Sequence, residues 1–252
     1  MYDTRTMYEK SRVSDRELME RAKLDTGARG RLSKERVLSA AVAFADREGI
    51  ESLTMRRLAA ELGVGAMSLY YHVPNKDELL NGMVEVVFGE IELPQTDVEW
   101  KTAMRRRAIS TREVLNRHRW AVGLLESRTT PGPASLRLHD AVLGCLREAG
   151  FSIELTIQAY SVQDAYIYGS AIQEESLPFE SAEESAAVAA EQVRQFAELA
   201  EERQFAALAE EFPYLAEVVA GHVAKVGYDF AAAFEFGLDL ILDALEQRRD
   251  DL

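Results

Sequence analysis

Two short stretches of helical period, 54–62 and 66–72, are separated only by Gly63-Val64-Gly65. So brief a joint leaves no room for a loop, and glycines there permit a tight reversal. Thr54 has the side chain to cap the first helix, with Leu58, Ala59 and Leu62 on its inner face. The second, AMSLYYH, stops at Val73-Pro74, because proline disfavours helical geometry in the residue before it. Its spacing turns Leu69 inward, anchored by Val64 and Val73, and leaves Met67, Ser68, Tyr70, Tyr71 and His72 facing out.

The surroundings are helical too. Ser33 can cap a helix with Val37, Leu38, Ala41, Phe44 and Ala45 on one face, ended by Gly49. Asn75, with Glu78 three residues on, has the spacing of a capping box and starts a helix running to about Glu92, before Leu93-Pro94. Longer helices are predicted over 97–117, 119–127, 133–149, 152–175, 181–211 and 214–248, broken by Pro131, Pro133 and Gly150. The fold class is all-α. Residues 1–32 are weakly periodic and read as a flexible extension. The tandem RQFAELAEE and RQFAALAEE at 194–211 reads as a tolerated insertion or a mobile cover, since nine residues of helix turn by about 900° and put Phe196 and Phe205 on opposite sides.

Charge divides the chain. Its 252 residues carry a net −14, yet residues 1–32 hold +2, 33–80 hold −1 and 81–252 hold −15. Acidity argues against nucleic acid for the C-terminal two-thirds and not for the near-neutral head. Cys145 is the one cysteine, and His72, His118, His139 and His222 lie too far apart for a spacing-based metal site, so no metal or cofactor is expected. No apolar run approaches the ~18 residues of a membrane span and the N-terminus lacks a signal-like stretch, so a cytoplasmic location is expected.

Two short helices on a glycine turn, the second bearing exposed aromatics, form a helix-turn-helix pattern over Thr54–His72. Its first helix crosses the DNA backbone and its second presents base-reading side chains. The segment LTMRRLAAELGVGAMSLYYHVPNKDELL resembles, without a gap, the DNA-binding signature of the TetR family of bacterial repressors. More weakly, LREAGFSIELTIQAYSVQDAYIYGSAIQEES and FEFGLDLILDALEQ are similar to later helices of the tetracycline-repressor subgroup. The resemblance implies an N-terminal DNA-binding domain at 33–80 and an effector-binding and dimerisation domain at 81–252. It further implies that Arg56 reaches a guanine, that Thr54, Tyr70, Tyr71, His72 and Lys76 hold phosphates, and that Ala66, Met67 and Ser68 form the reading front, with Met55 beside them. Gly65 and Ala66 stand where the family carries larger polar residues, so the operator differs from the tetracycline one. The family's magnesium–tetracycline ligands fall on Glu92, near Leu125, on Ala165 and on Gln173, so that ligand is not expected.

A head of this size touches few base pairs, which favours a homodimer on a palindromic operator. On 214–248, Val226, Phe230, Ala233, Gly237, Leu240 and Ala244 make one apolar stripe, and Tyr228, Ala232, Leu238 and Leu242 a second. A helix apolar on two sides is buried on both, against its own core and a second copy. Tyr166 and Ser170 on 152–175 would join it in a four-helix interface. Gln163 and Asp164 on that helix either pair across the interface or orient a small-molecule effector. The candidate effector walls are Trp100, Met104, Arg107, Trp120, Leu125, Leu136, His139, Leu143, Tyr160, Gln163, Asp164, Ile167 and Tyr168. The sequence thus reads as a ligand-responsive repressor. Two other readings are a DNA-binding dimer without effector, and a helical enzyme using Asp164 with Glu174 or His139 as acid and base.

Overall fold

The computed structural model describes residues 32–125, 131–177, 183–188, 190–191, 210–223 and 227–251, and among these there is no strand. Among the described residues, helices carry the fold. In the head lie α1 (Lys34–Glu48), α2 (Met55–Glu61) and α3 (Ala66–His72), followed by the connector α4 (Lys76–Glu90). Then come α5 (Trp100–Arg117), α6 (Val122–Leu125), α7 (Pro133–Glu148), α8 (Ile153–Glu175), α9 (Pro213–Val218) and α10 (Phe230–Asp250). A 3-10 turn, Ile50–Ser52, follows α1, another, Arg119–Ala121, leads into α6, and a π turn, Val219–Val223, extends α9. The N-terminal extension up to residue 31 and nearly all of the tandem repeat lie outside the described residues.

The caps follow from the residue types. Ser33, Thr54 and Asn75 each accept a backbone N–H three residues on, satisfying a donor that the helix start leaves open. Gly63 takes φ +67°, a left-handed conformation strained for residues with a Cβ, and this lets α2 turn into α3 within four residues. The connector ends at Glu90, two residues earlier than the periodicity predicts, where Ile91 donates back to Phe88 O and turns extended.

Burial divides along α4. One apolar cluster packs Val37, Phe44, Leu53, Leu58, Leu69 and Val73 against Leu79, Leu80 and Met83. The other begins at Val84, Val87 and Phe88 and runs through α5, α7, α8 and α10. A single helix therefore has its first turns in one core and its last turns in the other.

The long final helix expected over 214–248 is not continuous. Gly227 takes φ +83°, residues 227–229 are non-helical, and Asp229 caps a new helix by accepting from Ala232 N at 3.0 Å. The run Ala231, Ala232 and Ala233 just after the break favours helix, and no proline marks the break itself. The inward stripe of α10 is Phe234, Leu238, Leu242 and Leu245. Ion pairs then tie α10 to α5: Arg105 to Glu235 at 2.6 Å and to Asp239 at 2.8 Å, and Lys101 to Asp243 and Glu246.

Candidate DNA-reading surface and effector cavity

The head presents one polar and aromatic surface. Thr54, Arg56, Ala66, Met67, Ser68, Tyr70, Tyr71 and Lys76 are exposed and His72 is half-buried. Met67 is 81% exposed and Tyr71 86%, although both are side chains that a folded domain ordinarily covers. Leu69 beneath them is fully buried, so α3 is fixed by its inner side while its outer side stands free. Tyr71 meets the His72 ring edge-to-face at 5.3 Å. Thr54 Oγ1 accepts from Arg57 N at 3.2 Å, which leaves its hydroxyl proton for an outside acceptor such as a phosphate oxygen. Arg57 folds back over the Phe44 ring and donates to Ser52 O, whereas Arg56 beside it points out.

Met55 corrects the sequence reading. It is buried with Leu58 and Ala59, because Met55, Leu58, Ala59 and Leu62 follow i, i+3, i+4, i+7 spacing on the inner face of α2. Its side chain supports the head and is turned away from the reading surface.

A cavity of about 530 Å³ opens between α4, α7 and α8, closed on one side by the start of α1. Asn81, Glu85 and Phe88 come from α4, Ser135 and His139 from α7, Tyr160, Asp164 and Tyr168 from α8, and Lys34 from α1. Three rings form a run, His139 lying 6.3 Å from Phe88 and 5.6 Å from Tyr160. Burial, with the carboxylate of Asp164 beside it, pushes the Tyr160 hydroxyl far above its ordinary range, so it stays protonated as a donor. Asp164 is held by Arg107, Nη2 donating to Oδ1 at 2.7 Å, and both residues are buried. Two further guanidinium nitrogens of Arg107 and both amide atoms of Gln163 are buried without a hydrogen-bond partner.

Glu85 binds the connector to α7. It accepts from Ala134 N at 2.6 Å, from Ser135 N at 3.2 Å and from the Ser135 hydroxyl, so its carboxylate caps the helix start. Burial pushes the Glu85 carboxyl up, but the combined hydrogen bonds from Ser135, Ala134 and Gly132 outweigh it and hold the group below its ordinary range.

Of the expected effector walls, the cavity brings together His139, Tyr160, Asp164 and Tyr168, with Arg107 behind Asp164. Met104, Gln163 and Ile167 are buried in the adjoining core. Trp100 packs edge-on against Phe151 beneath Arg249, and Trp120 bonds to Asp46 on the head, so neither lines the cavity. Leu136 and Leu143 are exposed, 54% and 37%, on the solvent side of α7, opposite Leu138, Val142 and Leu146. The Leu125 side chain lies outside the described residues. The sequence reading missed Lys34, Asn81, Glu85, Phe88 and Ser135. A legible signal was the polar pair Asn81 and Glu85, four residues apart within the otherwise uncharged and largely apolar stretch 79–88 of the connector.

The expected interface residues divide likewise. Tyr166 turns inward, stacks on Phe234 at 5.3 Å and donates to Phe234 O at 2.9 Å. Gly237 is small because the Tyr166 ring passes over it within the same chain, and Ser170 is buried. Phe230 and Ala233 are half-buried, Leu240 and Ala244 are exposed, and Val226 lies outside the described residues. Of the two acid–base pairs in the enzyme reading, His139 and Asp164 both line the cavity, while Asp164 and Glu174 are kept apart. Asp164 and Glu174 sit about 15 Å apart along one helix, each committed to an arginine, Arg107 and Arg112.

Comparison with known proteins agrees with this layout. Residues 37–83 match the family model described as bacterial regulatory proteins, tetR family, and residues 93–249 match that of a tetracyclin repressor-like C-terminal domain. The chain is 39% identical over 147 residues to the HTH-type transcriptional repressor DrrR1 of Streptomyces coeruleorubidus, a match spanning 58% of this chain and 54% of that one. It is 29% identical over 222 residues to the class A tetracycline repressor of transposon 1721 from Escherichia coli, covering 87% and 93% of the two chains. Among solved structures, the Streptomyces coelicolor TetR family protein ActR in complex with actinorhodin superposes with a TM-score of 0.67 at 27% identity, over 87% of this chain and 99% of that one.

Proposed function

The chain belongs to the TetR family of bacterial regulatory proteins, and on that premise we propose that it is a ligand-responsive DNA-binding repressor. It acts as a homodimer on a palindromic operator and lets go when a small molecule fills the cavity between α4, α7 and α8. The observation that carries this reading is the double life of α4: Leu79, Leu80 and Met83 belong to the head's core, while Asn81, Glu85 and Phe88 line the cavity. A ligand that moves those three side chains moves the rod on which the head is built. Recognition helices of a dimer must sit ~34 Å apart to enter successive major grooves, so a small rotation of each rod misplaces one of them. Repressor function is supported by the name of the DrrR1 relative, and a small-molecule effector by the actinorhodin complex of ActR.

Selection of duplexes from a random pool by the purified protein tests the first half, and a two-fold symmetric site is the expected product. Screening metabolite and drug libraries by thermal shift then tests the second. Compounds that stabilise the protein should release the selected duplex, and should lose their effect in F88A. Recovery of no preferred duplex, or release by no stabilising compound, overturns the reading.

A further inference from the structure

His118 stands between α5 and the turn Arg119–Ala121, at the seam between the head and the larger core. Its ring is buried, and each nitrogen meets a carboxylate: Nδ1 is 2.9 Å from Asp46 Oδ1 and Nε2 is 3.2 Å from Glu90 Oε2. Asp46 lies on α1, in the head, and Glu90 is the last residue of the connector α4. One imidazole therefore touches the two elements whose relative placement aims the head. Trp120 fastens the same carboxylate, its indole N–H donating to Asp46 Oδ1 at 2.6 Å, and its ring stands 6.1 Å from that of His118.

An ionised carboxylate only accepts hydrogen bonds, and a neutral imidazole carries one N–H. A neutral His118 would serve one of its two carboxylates and turn a lone pair on the other. Both contacts are hydrogen bonds only when both nitrogens hold protons. The charged groups around the ring are Asp46 from α1, Glu90 from α4, Arg117 and Arg119 flanking it in the chain, and Glu175 at the end of α8, which shares a cleft with Asp46 and Trp120. Arg117 pairs with Glu90 at 3.0 Å, so Glu90 keeps a partner when the ring leaves it, and Asp46 keeps the indole N–H of Trp120.

We infer that His118 is a proton-dependent positioning residue that ties the head to the connector's end through both carboxylates when doubly protonated and gives up one of the two contacts when neutral. The latch is whole while both ring nitrogens hold protons, and it loses one of its two hydrogen bonds when rising pH removes one of them. A fixed head loses less orientational freedom on docking, so operator affinity follows the latch. That consequence rests on the regulator reading; the latch itself does not.

The full-length protein, free of DNA, is followed by ¹⁵N NMR from about pH 5.5 to about pH 8.5. The Trp120 indole resonance is expected to move in step with the ring nitrogens of His118, and to stay still over that range in H118Q. Affinity for a duplex selected from a random pool should fall about three- to tenfold more in the wild type than in H118Q between those limits, the size of one charge-assisted contact. D46N keeps an oxygen for Trp120 while removing the charge, and should follow H118Q, which guards against a folding defect in either variant. An indole resonance indifferent to His118, or superimposable pH profiles of wild type and both variants, overturns the latch. Titration of the indole with no duplex ever selected keeps the latch and removes the regulator reading instead.

Discussion

Met55 and Arg56 are adjacent and face opposite ways, and their contrast shows what a single residue position contributes. The resemblance places Met55 beside the reading front, whereas its i, i+3, i+4, i+7 spacing with Leu58, Ala59 and Leu62 turns it inward, as the structure shows. Tyr71, by contrast, touches little but His72, so its exposed ring does nothing for the fold. Y71A should leave unfolding free energy within about 0.5 kcal/mol of wild type, while weakening operator binding about tenfold or more, in line with a contact worth ~1–3 kcal/mol. M55A should lower stability by about 2–3 kcal/mol through lost burial and a cavity. Urea denaturation beside fluorescence anisotropy on the selected duplex separates the two effects. Glu85 carries a pH dependence of its own. Because its folded carboxyl is held below the ordinary range, its contribution is whole above about pH 4.5 and fades as pH falls through the lowered value. E85Q should therefore cost about 1 kcal/mol at neutral pH, with the difference from wild type closing in acid, as read by thermal unfolding against pH.

Elements were legible wherever a local chemical signal marked their ends. Ser33, Thr54 and Asn75 as caps, Gly49 and Gly63 as stops, and Pro74 as a break are short-range features, and the helices of the head fall between them. The last helix was misread because its break, Gly227-Tyr228-Asp229, is one glycine and one capping aspartate between strong helix formers. The cavity was harder still to read, since its walls come from α1, α4, α7 and α8, and no periodicity within one helix reports which turns of another oppose it. Gly237 shows the same limit. In sequence it reads as a small residue for close approach of a partner, but in space it makes room for Tyr166 of its own chain. A Cβ at Gly237 would overlap the Tyr166 hydroxyl, so G237A must displace that ring and its bond to Phe234 O, costing about 1–3 kcal/mol. Gly144, in the middle of α7 with open space around its Cα, is the control: G144A should be neutral or stabilising by up to about 1 kcal/mol. Equal destabilisation of the two by calorimetry would remove the packing role assigned to Gly237.

At the scale of the whole molecule, the charge distribution and the unpartnered faces make one argument. The head is nearly neutral, residues 1–32 carry only +2 and residues 81–252 carry −15, so a single head gains little from phosphate attraction and the C-terminal two-thirds repel DNA. Useful affinity then has to come from two heads held together, which requires a surface for a second copy. We propose that Ile157 and Ile172 on α8 and Phe236 and Leu240 on α10 supply it, since all four are more than half exposed on helices packed side by side. A monomer rarely leaves so many large apolar side chains in water. This proposed face keeps Leu240 of the stripe read from sequence and adds Phe236, while Tyr166 and Gly237 serve the interior. Placing a carboxylate in that stripe, as in L240D, would bury an unpaired charge between copies and leave a lone chain's core untouched. Sedimentation should then show a species near 28.2 kDa where the wild type shows about twice that mass. Helical signal should be retained and operator affinity should fall about a hundredfold or more, the loss expected when two linked half-site contacts become one. Y71A supplies the converse, an intact dimer that no longer grips DNA. An L240D protein that stays dimeric, or a monomer that binds the operator as tightly as wild type, would sever the link between this face and DNA recognition.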